Sequence, residues 1–281
     1  MRVSVMTHRR MDGSSEALRE LMGAARRSGA TLSFDDEETR KLTLEAAEGV
    51  EIGAPRASET DLCVVLGGDG TILTALREYA GTSVPVFAVN YGEVGFLATI
   101  DPDGLGGDFE RAFAGDFETL ELPTISVGRP EGTWAALNDI SVHRKAGLRV
   151  ADLAYALAGE EIGRVRCDGL VVATPQGSTG YNLANGGPVL AWGVEGYVVS
   201  FIAPHTLTAR SLVVAPGDAL DVTNRSRSDE VDVTTDGREI CTLAPQATMS
   251  IRFEQRQSLL AQAPGATFYH RLRDKFGRLS Y

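Results

Sequence analysis

The sequence predicts an α/β domain with a doubly wound parallel sheet, followed by an all-β, layered (sandwich-like) domain. In residues 1–115, short apolar runs alternate with segments of helical periodicity, a pattern typical of a parallel sheet covered by helices on both faces. In residues 116–255, segments rich in β-forming residues follow one another without helices between them. We expect the C-terminal tail, residues 256–281, to complete the first domain.

The elements of the first domain can be placed by periodicity and by glycine. An apolar run opens the chain, and Gly29 fits the stop of the helix that follows it. The predicted strands are Val3–Met6, Asp61–Leu66 and Pro85–Val89, and the predicted helices are Ser15–Arg27 and Thr71–Tyr79. The acidic stretch Phe34–Gly53 has no strong period, so we interpret it as a solvated face or a mobile loop.

The second domain shows period-two segments separated by turn signals such as Asp236-Gly237 and Pro216-Gly217-Asp218. Its predicted strands are Thr124–Val127, Ile140–His143, Leu153–Leu157, Leu170–Ala173, Val198–Ile202, Leu220–Val222, Val231–Val233 and Met249–Phe253. A charged helix, Phe268–Phe276, closes the chain.

Composition narrows the function classes. The chain has 281 residues, is 43% hydrophobic and carries a net charge of −11, which argues against binding to nucleic acid or to an anionic membrane. Nowhere do 18 consecutive apolar residues occur, so we expect neither export nor a membrane span. Cys63, Cys167 and Cys241 are far apart, which predicts a reducing, cytoplasmic location without a disulfide framework.

No metal site held by the protein is indicated. The three cysteines lack CxxC spacing, and the four histidines, at positions 8, 143, 205 and 270, form no cluster with Cys or Asp in the sequence. We interpret these histidines as structural or exposed. No Gly-x-Ser-x-Gly elbow surrounds a nucleophile, so a hydrolase is not supported.

Gly67-Gly68-Asp69-Gly70-Thr71 places a carboxylate in a glycine turn between a buried strand and a helix. Glycines let the backbone approach a polyphosphate, and the N–H groups of a helix start point at an anion. Neither GxxxxGK[ST] nor GxGxxG is present, since Leu73 stands where the latter needs its third glycine. The alternative is an ordinary turn, because Gly and Asp are common turn residues.

A second glycine loop, Asn90–Leu97, also follows a strand of the first domain. Ligands of α/β sheets bind at the carboxyl ends of the strands, so we expect both loops to face one crevice. Phe96 within this loop is either a ligand contact or a core residue.

Polar residues also gather beside strands of the second domain. Asn138-Asp139 starts one strand, and Arg166-Cys167-Asp168-Gly169 precedes another. The segment from Thr174 to Tyr181 then offers hydroxyls, glycines and one aromatic ring, which suits hydrogen bonding and ring packing with a polar ligand.

Together these motifs resemble the NAD kinase family in order and approximate spacing, over about residues 60–240. The Gly-Gly-Asp-Gly element is shared with diacylglycerol-type lipid kinases and 6-phosphofructokinases. The run Thr-Pro-x-Gly-Ser-Thr-x-Tyr, residues 174–181, is similar to NAD kinases in particular. The resemblance implies transfer of a phosphoryl group to the 2′-hydroxyl of the adenosine ribose of NAD, giving NADP. ATP, another nucleoside triphosphate or polyphosphate is the implied donor, with Mg²⁺ bound through its phosphates.

The resemblance also implies roles for individual residues. Asp69 resembles the catalytic acidic residue, for which we predict proton abstraction from the 2′-hydroxyl, and the helix start is expected to favour its ionised form. The residues implied to bind phosphates or NAD are Gly68, Gly70, Thr71, Phe96, Asn138, Asp139, Arg166, Asp168, Thr179, Gly180, Tyr181 and Asp236. Arg166 is a basic contact or a surface arginine. A homodimer or homotetramer is also implied.

The chain departs from the family pattern at four positions. Asp139 stands where Glu is usual, Gln176 where Thr is usual, Gly180 where Ala is usual, and Ala184 where Ser is common. These changes bear on selectivity between NAD and NADH. The alternative functions are a lipid or sugar kinase, disfavoured by the acidic charge, and a non-catalytic NAD-binding sensor, disfavoured by the presence of Asp69.

Overall fold

The computed structural model describes residues 1–8, 14–55, 59–91, 96–100, 105–129 and 132–277. The chain divides into two compact units. The first, the N-terminal unit, comprises Met1–Glu121 and Gln257–Tyr281, and the second, the β unit, comprises Leu122–Arg256. The predicted fold class is confirmed: the N-terminal unit contains a parallel α/β sheet, and the β unit contains antiparallel sheets.

Strands run through both units, whereas the longer helices belong to the N-terminal unit. The strands are β1 Arg2–Thr7, β2 Thr31–Ser33, β3 Val50–Glu51, β4 Leu62–Gly67, β5 Pro85–Asn90, β6 Glu118–Arg129, β7 Gly132–Ala136, β8 Asp139–Arg144, β9 Ala151–Leu157, β10 Glu160–Cys167, β11 Gly169–Ala173, β12 Tyr197–Ile202, β13 Leu212–Val214, β14 Leu220–Asn224, β15 Val231–Thr235, β16 Arg238–Leu243 and β17 Thr248–Gln262. The helices are α1 Ser14–Ser28, α2 Asp36–Leu42, α3 Asp69–Glu78, α4 Leu105–Phe113, α5 Tyr181–Ala184 and α6 Phe268–Phe276, with a 3₁₀ helix at Gln176–Thr179.

The N-terminal unit contains a parallel sheet in the order β17-β5-β4-β1-β2-β3. Strand β4 lies inside it, and its residues are buried on both faces. Val64 and Leu66 share a core with α1 and α4, whereas Cys63 and Val65 point to the opposite face by strand alternation. Burial on both faces explains why this strand reads as a continuous apolar run.

Of the two interpretations of residues 34–53, the mobile loop is wrong, whereas most residues of the segment are exposed, as a solvated face would be. The segment forms α2 and β3, and Glu38 within it is buried. Glu38 accepts hydrogen bonds from the backbone and the hydroxyl of Thr7, at 3.0 and 2.7 Å, and from Lys41 at 2.6 Å. Asp35 caps the helix by accepting a bond from the Glu38 N–H. An acidic cap followed three residues later by Glu is a helix-start signal that the charge run concealed.

The β unit has a core between two layers of antiparallel strands. One layer has the order β13-β12-β11-β8-β15-β16, and the other includes β10, β9, β14 and the first part of β17. Side chains such as Val142 and Leu170 from the first layer share the core with Leu153 and Val222 from the second. The prediction that no helix interrupts these strands is wrong at one place, because the 3₁₀ helix and α5 lie between β11 and β12.

Candidate active site

The carboxylate of Asp69 stands at the junction of β4 and α3, as predicted for the glycine loop. Gly68 has extended backbone and is the N-cap of α3, and since it has no side chain, no side-chain cap closes this helix end. A Cβ on Gly67 would lie 2.8 Å from the Thr71 side chain, whereas a Cβ on Gly70 would meet no atom of the described residues within 4 Å. Gly67 is therefore required by packing within the protein, and Gly70 leaves open space beside the helix start.

Two backbone groups of the second glycine loop hold the Asp69 carboxylate. The N–H of Phe96 donates to Oδ2 at 3.2 Å and the N–H of Leu97 donates to Oδ1 at 3.3 Å. The two loops meet through neighbouring strands, since Gly67 of β4 pairs with Asn90 of β5. Residues 92–95, which complete the predicted Asn90–Leu97 loop, lie outside the described residues.

The pKa of Asp69 is raised above its ordinary value. Burial of the carboxyl group is the largest cause, and it outweighs the two backbone hydrogen bonds and the positive charges of Lys275 and Arg271, which all lower the pKa. This corrects the expectation that the helix start keeps Asp69 readily ionised. A carboxylate with a raised pKa is a better proton acceptor than an ordinary aspartate.

Helix α6 brings the positive charges to Asp69. Arg271 donates to the carbonyl of Phe96 at 3.1 Å, to the carbonyl of Ala98, and to the side chain of Gln262 at 2.8 Å. Arg271 and Lys275 are four residues apart, so they lie on one face of the helix. The glycine motifs did not point to these two cations, although the charged tail helix was predicted at the bounds that the structure has.

Phe96 is a core residue in this structure. Its side chain is 6% exposed, and its ring centroid lies 5.6 Å from that of Phe276 on α6. Of the two interpretations left open, the structure therefore favours packing for the ring, while the backbone N–H serves Asp69.

In the β unit, Asp236 holds the segment that carries Asn138 and Asp139. Its carboxylate accepts hydrogen bonds from the N–H groups of Leu137 at 3.1 Å, Asn138 at 2.7 Å and Asp139 at 3.2 Å. Asp236 and Gly237 both have positive φ, 45° and 74°, as a tight hairpin turn between β15 and β16 requires. Asp236 therefore orients two residues that were assigned to NAD, in addition to being a candidate ligand itself.

Asp139 lies in a setting that favours its neutral form. It is 8% exposed, and burial together with the negative charge of Asp236 raises its pKa to about 7. The Oδ1 atom of Asn138 is also buried and accepts no hydrogen bond within the described part of the chain. Both side chains thus keep polar atoms that a ligand could satisfy.

The segment after β11 is hydrogen-bonded to the backbone just before Asn138. The Thr174 hydroxyl donates to the carbonyl of Leu137 at 2.5 Å, and the Gln176 amide donates to the carbonyls of Leu137 and Pro123, both at 2.7 Å. Gln176 is buried. At this departure from the family pattern, the longer side chain binds the protein's own backbone.

Asp168 is paired with Arg144, which the sequence did not single out. The carboxylate accepts a bond from Arg144 Nε at 2.6 Å, and the N–H of Arg144 donates to the Asp168 carbonyl at 2.9 Å. Arg166, in contrast, is exposed on β10, and its carbonyl accepts a bond from His205. The cation beside Asp168 is therefore Arg144.

Thr179, Gly180 and Tyr181 lie where the 3₁₀ helix meets α5. The Thr179 hydroxyl donates to the carbonyl of Gln176 at 3.2 Å, and Gly180 is exposed. The Tyr181 ring is 37% exposed and stacks on the ring of His143, with 5.8 Å between centroids and 23° between planes.

Comparison with known proteins gives consistent results. Residues 15–117 match the family described as the ATP-NAD kinase N-terminal domain, and residues 137–262 match the ATP-NAD kinase C-terminal domain. An NAD kinase of Gemmatimonas aurantiaca is 36% identical over 285 residues, covering 99% of this chain and 96% of that protein. An NAD kinase of Symbiobacterium thermophilum is 33% identical over 264 residues, covering 91% and 92%.

Two solved structures are similar. The crystal structure of an NAD kinase from Archaeoglobus fulgidus in complex with ATP has a TM-score of 0.74 and 26% identity, covering 99% of this chain and 98% of that chain. That of yeast NADH kinase complexed with NADH has a TM-score of 0.88, covering 100% and 89%. Its identity is 21%, so this second likeness is one of fold.

Proposed function

The chain belongs to the NAD kinase family, and from this membership we propose that it transfers the terminal phosphoryl group of ATP, another nucleoside triphosphate or polyphosphate to the 2′-hydroxyl of the adenosine ribose of NAD. The observation that carries the proposal is the half-buried Asp69 carboxylate at the start of α3, which accepts hydrogen bonds from the N–H groups of Phe96 and Leu97 and has a raised pKa.

Asp69 acts as the general base in the proposed reaction. It accepts the proton of the 2′-hydroxyl while the oxygen forms a bond to the terminal phosphorus of the donor. The bond between this phosphorus and its bridging oxygen breaks, and the shortened donor leaves with the electron pair. With ATP the products are NADP, ADP and the proton now held by Asp69.

The donor phosphates bind at the amino end of α3. Gly68 and Gly70 leave the helix start accessible, and Thr71 follows on its first turn. Helix starts attract anions through their N–H groups. The cations Arg271 and Lys275 act on Asp69 and add positive charge to this loop.

Mg²⁺ is proposed to bind through the donor phosphates. Phosphate oxygens and water would supply its ligands, since Mg²⁺ usually keeps several waters and substrate phosphates, and the Asp69 carboxylate is kept for the proton. When bound, the ion neutralises charge on the transferred group.

The NAD contacts are proposed on the β unit. Asn138 and Asp139 present polar atoms on a segment fixed by Asp236, and Tyr181 offers an exposed ring. Asp168, with its partner Arg144, is assigned to the nicotinamide side. Thr179, Gly180 and Arg166 complete the proposed set.

The setting of the protein is also proposed. We infer a cytoplasmic homodimer or homotetramer that does not bind nucleic acid or membranes, in line with the net charge of −11. No described helix is both long and apolar enough to cross a bilayer. Light scattering on the purified protein measures the oligomer.

NADP formation from NAD, ATP and Mg²⁺ tests the function, with Asp69→Asn and Asp116→Asn alongside. Asp116 is an exposed aspartate of the same unit, paired with Arg111, so it controls for the loss of one carboxylate. We expect Asp69→Asn to lose about 10²- to 10⁴-fold in kcat. Full activity of Asp69→Asn would remove the assigned base, and no NADP from the wild type with any donor would refute the reaction.

A further inference from the structure

One face of β8 is polar. Ile140 and Val142 point into the core between the two layers of the β unit. Since alternate residues of a strand point to opposite faces, Asp139, Ser141 and His143 line the other face of this strand. His143 was interpreted as a structural or exposed histidine, yet it shares this face with a residue assigned to NAD.

The segment that follows β11 covers the same face. Val171 and Ala173 of β11 pack there against Leu190. Between Ala173 and Leu190 in the chain, Tyr181 places its ring on the imidazole of His143. The stack therefore joins the strand that begins with Asp139 to the loop that carries the hydroxyl-rich motif.

His143 is held in place independently of Tyr181. Its Nε2 atom shares a hydrogen bond of 2.6 Å with the hydroxyl of Ser141, which shares another of 2.6 Å with the hydroxyl of Thr234. Its neighbours in the strand pairing are Gly169 of β11, which carries no side chain, and Asp232 of β15. Burial lowers the pKa of His143, against the opposing effect of the negative charge of Asp232.

Tyr181 is less restrained than His143. Its ring is 37% exposed, so the stack covers only part of it. Burial, followed by the charges of Asp139 and Asp168, raises the pKa of its hydroxyl. The exposed ring is thus close enough to both carboxylates assigned to the dinucleotide to be affected by their charges.

We propose that His143 is a positioning residue for dinucleotide binding, because its imidazole holds the Tyr181 ring in the orientation in which a planar ring of the dinucleotide stacks on it. This inference rests on the proposed function. A ring that is already held loses less conformational freedom when a ligand stacks on it, so the held ring binds more tightly.

Calorimetric titration with NAD measures the effect without requiring turnover. Variants His143→Ala, His143→Phe, Tyr181→Ala and the double alanine variant are compared, with the exposed His270→Ala as the matched control. We expect His143→Ala to raise the Kd of NAD about three- to tenfold, the scale of one aromatic pair. Phe keeps a flat ring without the bond to Ser141, and we expect it to restore most of the affinity.

The double variant separates positioning from general damage. If His143 acts through Tyr181, His143→Ala weakens binding no further when Tyr181 is already alanine. An unchanged Kd in His143→Ala, a Phe variant as weak as the Ala variant, or an equal loss in the Tyr181→Ala background would each overturn the proposal. A wild type that binds NAD without forming NADP contradicts the proposed function alone, and one that does not bind NAD overturns both.

Discussion

Gly177 lies so close to Asn138 that a Cβ atom at position 177 would stand 2.0 Å from the Asn138 carbonyl oxygen. The contact is between backbones, so a rotating side chain cannot relieve it. The N–H of Thr174 donates to the same carbonyl at 2.9 Å, so the loop after β11 packs directly against Asn138, the residue that precedes β8.

Gly177→Ala should therefore displace the Asn138 segment. We expect a loss of about 1 to 3 kcal/mol in the free energy of unfolding, the scale of overpacking, together with weaker NAD binding. Gly193→Ala is the matched control, because a Cβ there meets nothing within 4 Å. Urea unfolding and NAD titration measure both effects, and equal behaviour of the two variants would contradict the role of this contact.

Asp236→Ala should leave three backbone N–H groups without their acceptor. We expect the free energy of unfolding to fall by about 2 to 4 kcal/mol, since hydrogen bonds to a charged group are among the stronger ones. Asp236→Asn keeps one acceptor oxygen and tolerates the positive φ, so its loss should be smaller. Urea unfolding of both variants ranks them, and the prediction fails if asparagine is no better than alanine.

Protonation of Asp139 should make stability fall with rising pH. Its pKa is raised from 3.8 to about 7 in the folded protein, so the folded state holds a proton that the unfolded state has released. The contribution of this proton to the free energy of unfolding is fully present below about pH 4 and is lost as the pH rises through about 7. A rise of the pKa from 3.8 to about 7 corresponds to at most about 4 kcal/mol in the free energy of unfolding.

Unfolding free energies of the wild type and of Asp139→Asn, measured between pH 5 and 8, isolate this contribution. The amide does not titrate, so we expect the wild type to lose stability relative to the variant across that range. Parallel pH curves would show that Asp139 titrates at its ordinary value.

Arg271→Gln should shift the pH dependence of catalysis. Arg271 and Lys275 both lower the pKa of Asp69, so removing either charge raises that pKa further. A base with a higher pKa becomes ionised at higher pH, and the acidic limb of the kcat/KM profile should move upward. Arg273→Gln on the same helix is the control, since its partners are His270 and Asp274. If the acidic limb does not move in Arg271→Gln or in Lys275→Gln, the charges of α6 do not affect the pKa of the catalytic group.

Local patterns carried much of the fold. Continuous apolar runs located β1, β4 and β5 because these strands are buried in the sheet, and the 3.6-residue period located α1. The acidic stretch that forms α2 was misread because Glu38 is buried by its bonds to Thr7, thirty-one residues away. The charges of the residues next to Glu38 in sequence do not reveal that its carboxylate binds Thr7.

The sequence predicted the motifs of the candidate site, but it did not predict the residues that hold those motifs in place. Asp69 was identifiable because its loop is contiguous in sequence. Arg144 contacts Asp168 because β8 and β11 pair in a register that places His143 opposite Gly169. The alternation of apolar and polar residues predicts that a segment is a strand, but it does not predict which residues of two distant strands lie opposite each other. The three hydrogen bonds to Asp236 depend likewise on the pairing of β15 with β8, two strands that are far apart in sequence.

The N-terminal unit is interrupted in sequence: the end of β17, which pairs with β5, and the cations of α6 follow the whole β unit along the chain. During synthesis the ribosome therefore releases every residue of the β unit before the segment that completes Asp69's surroundings. A nascent chain can build the proposed dinucleotide contacts of the β unit early, but the surroundings of Asp69, the proposed base, stay incomplete until α6 emerges. Translation that stops short of α6 would yield a protein that lacks Arg271 and Lys275, the cations that lower the pKa of Asp69.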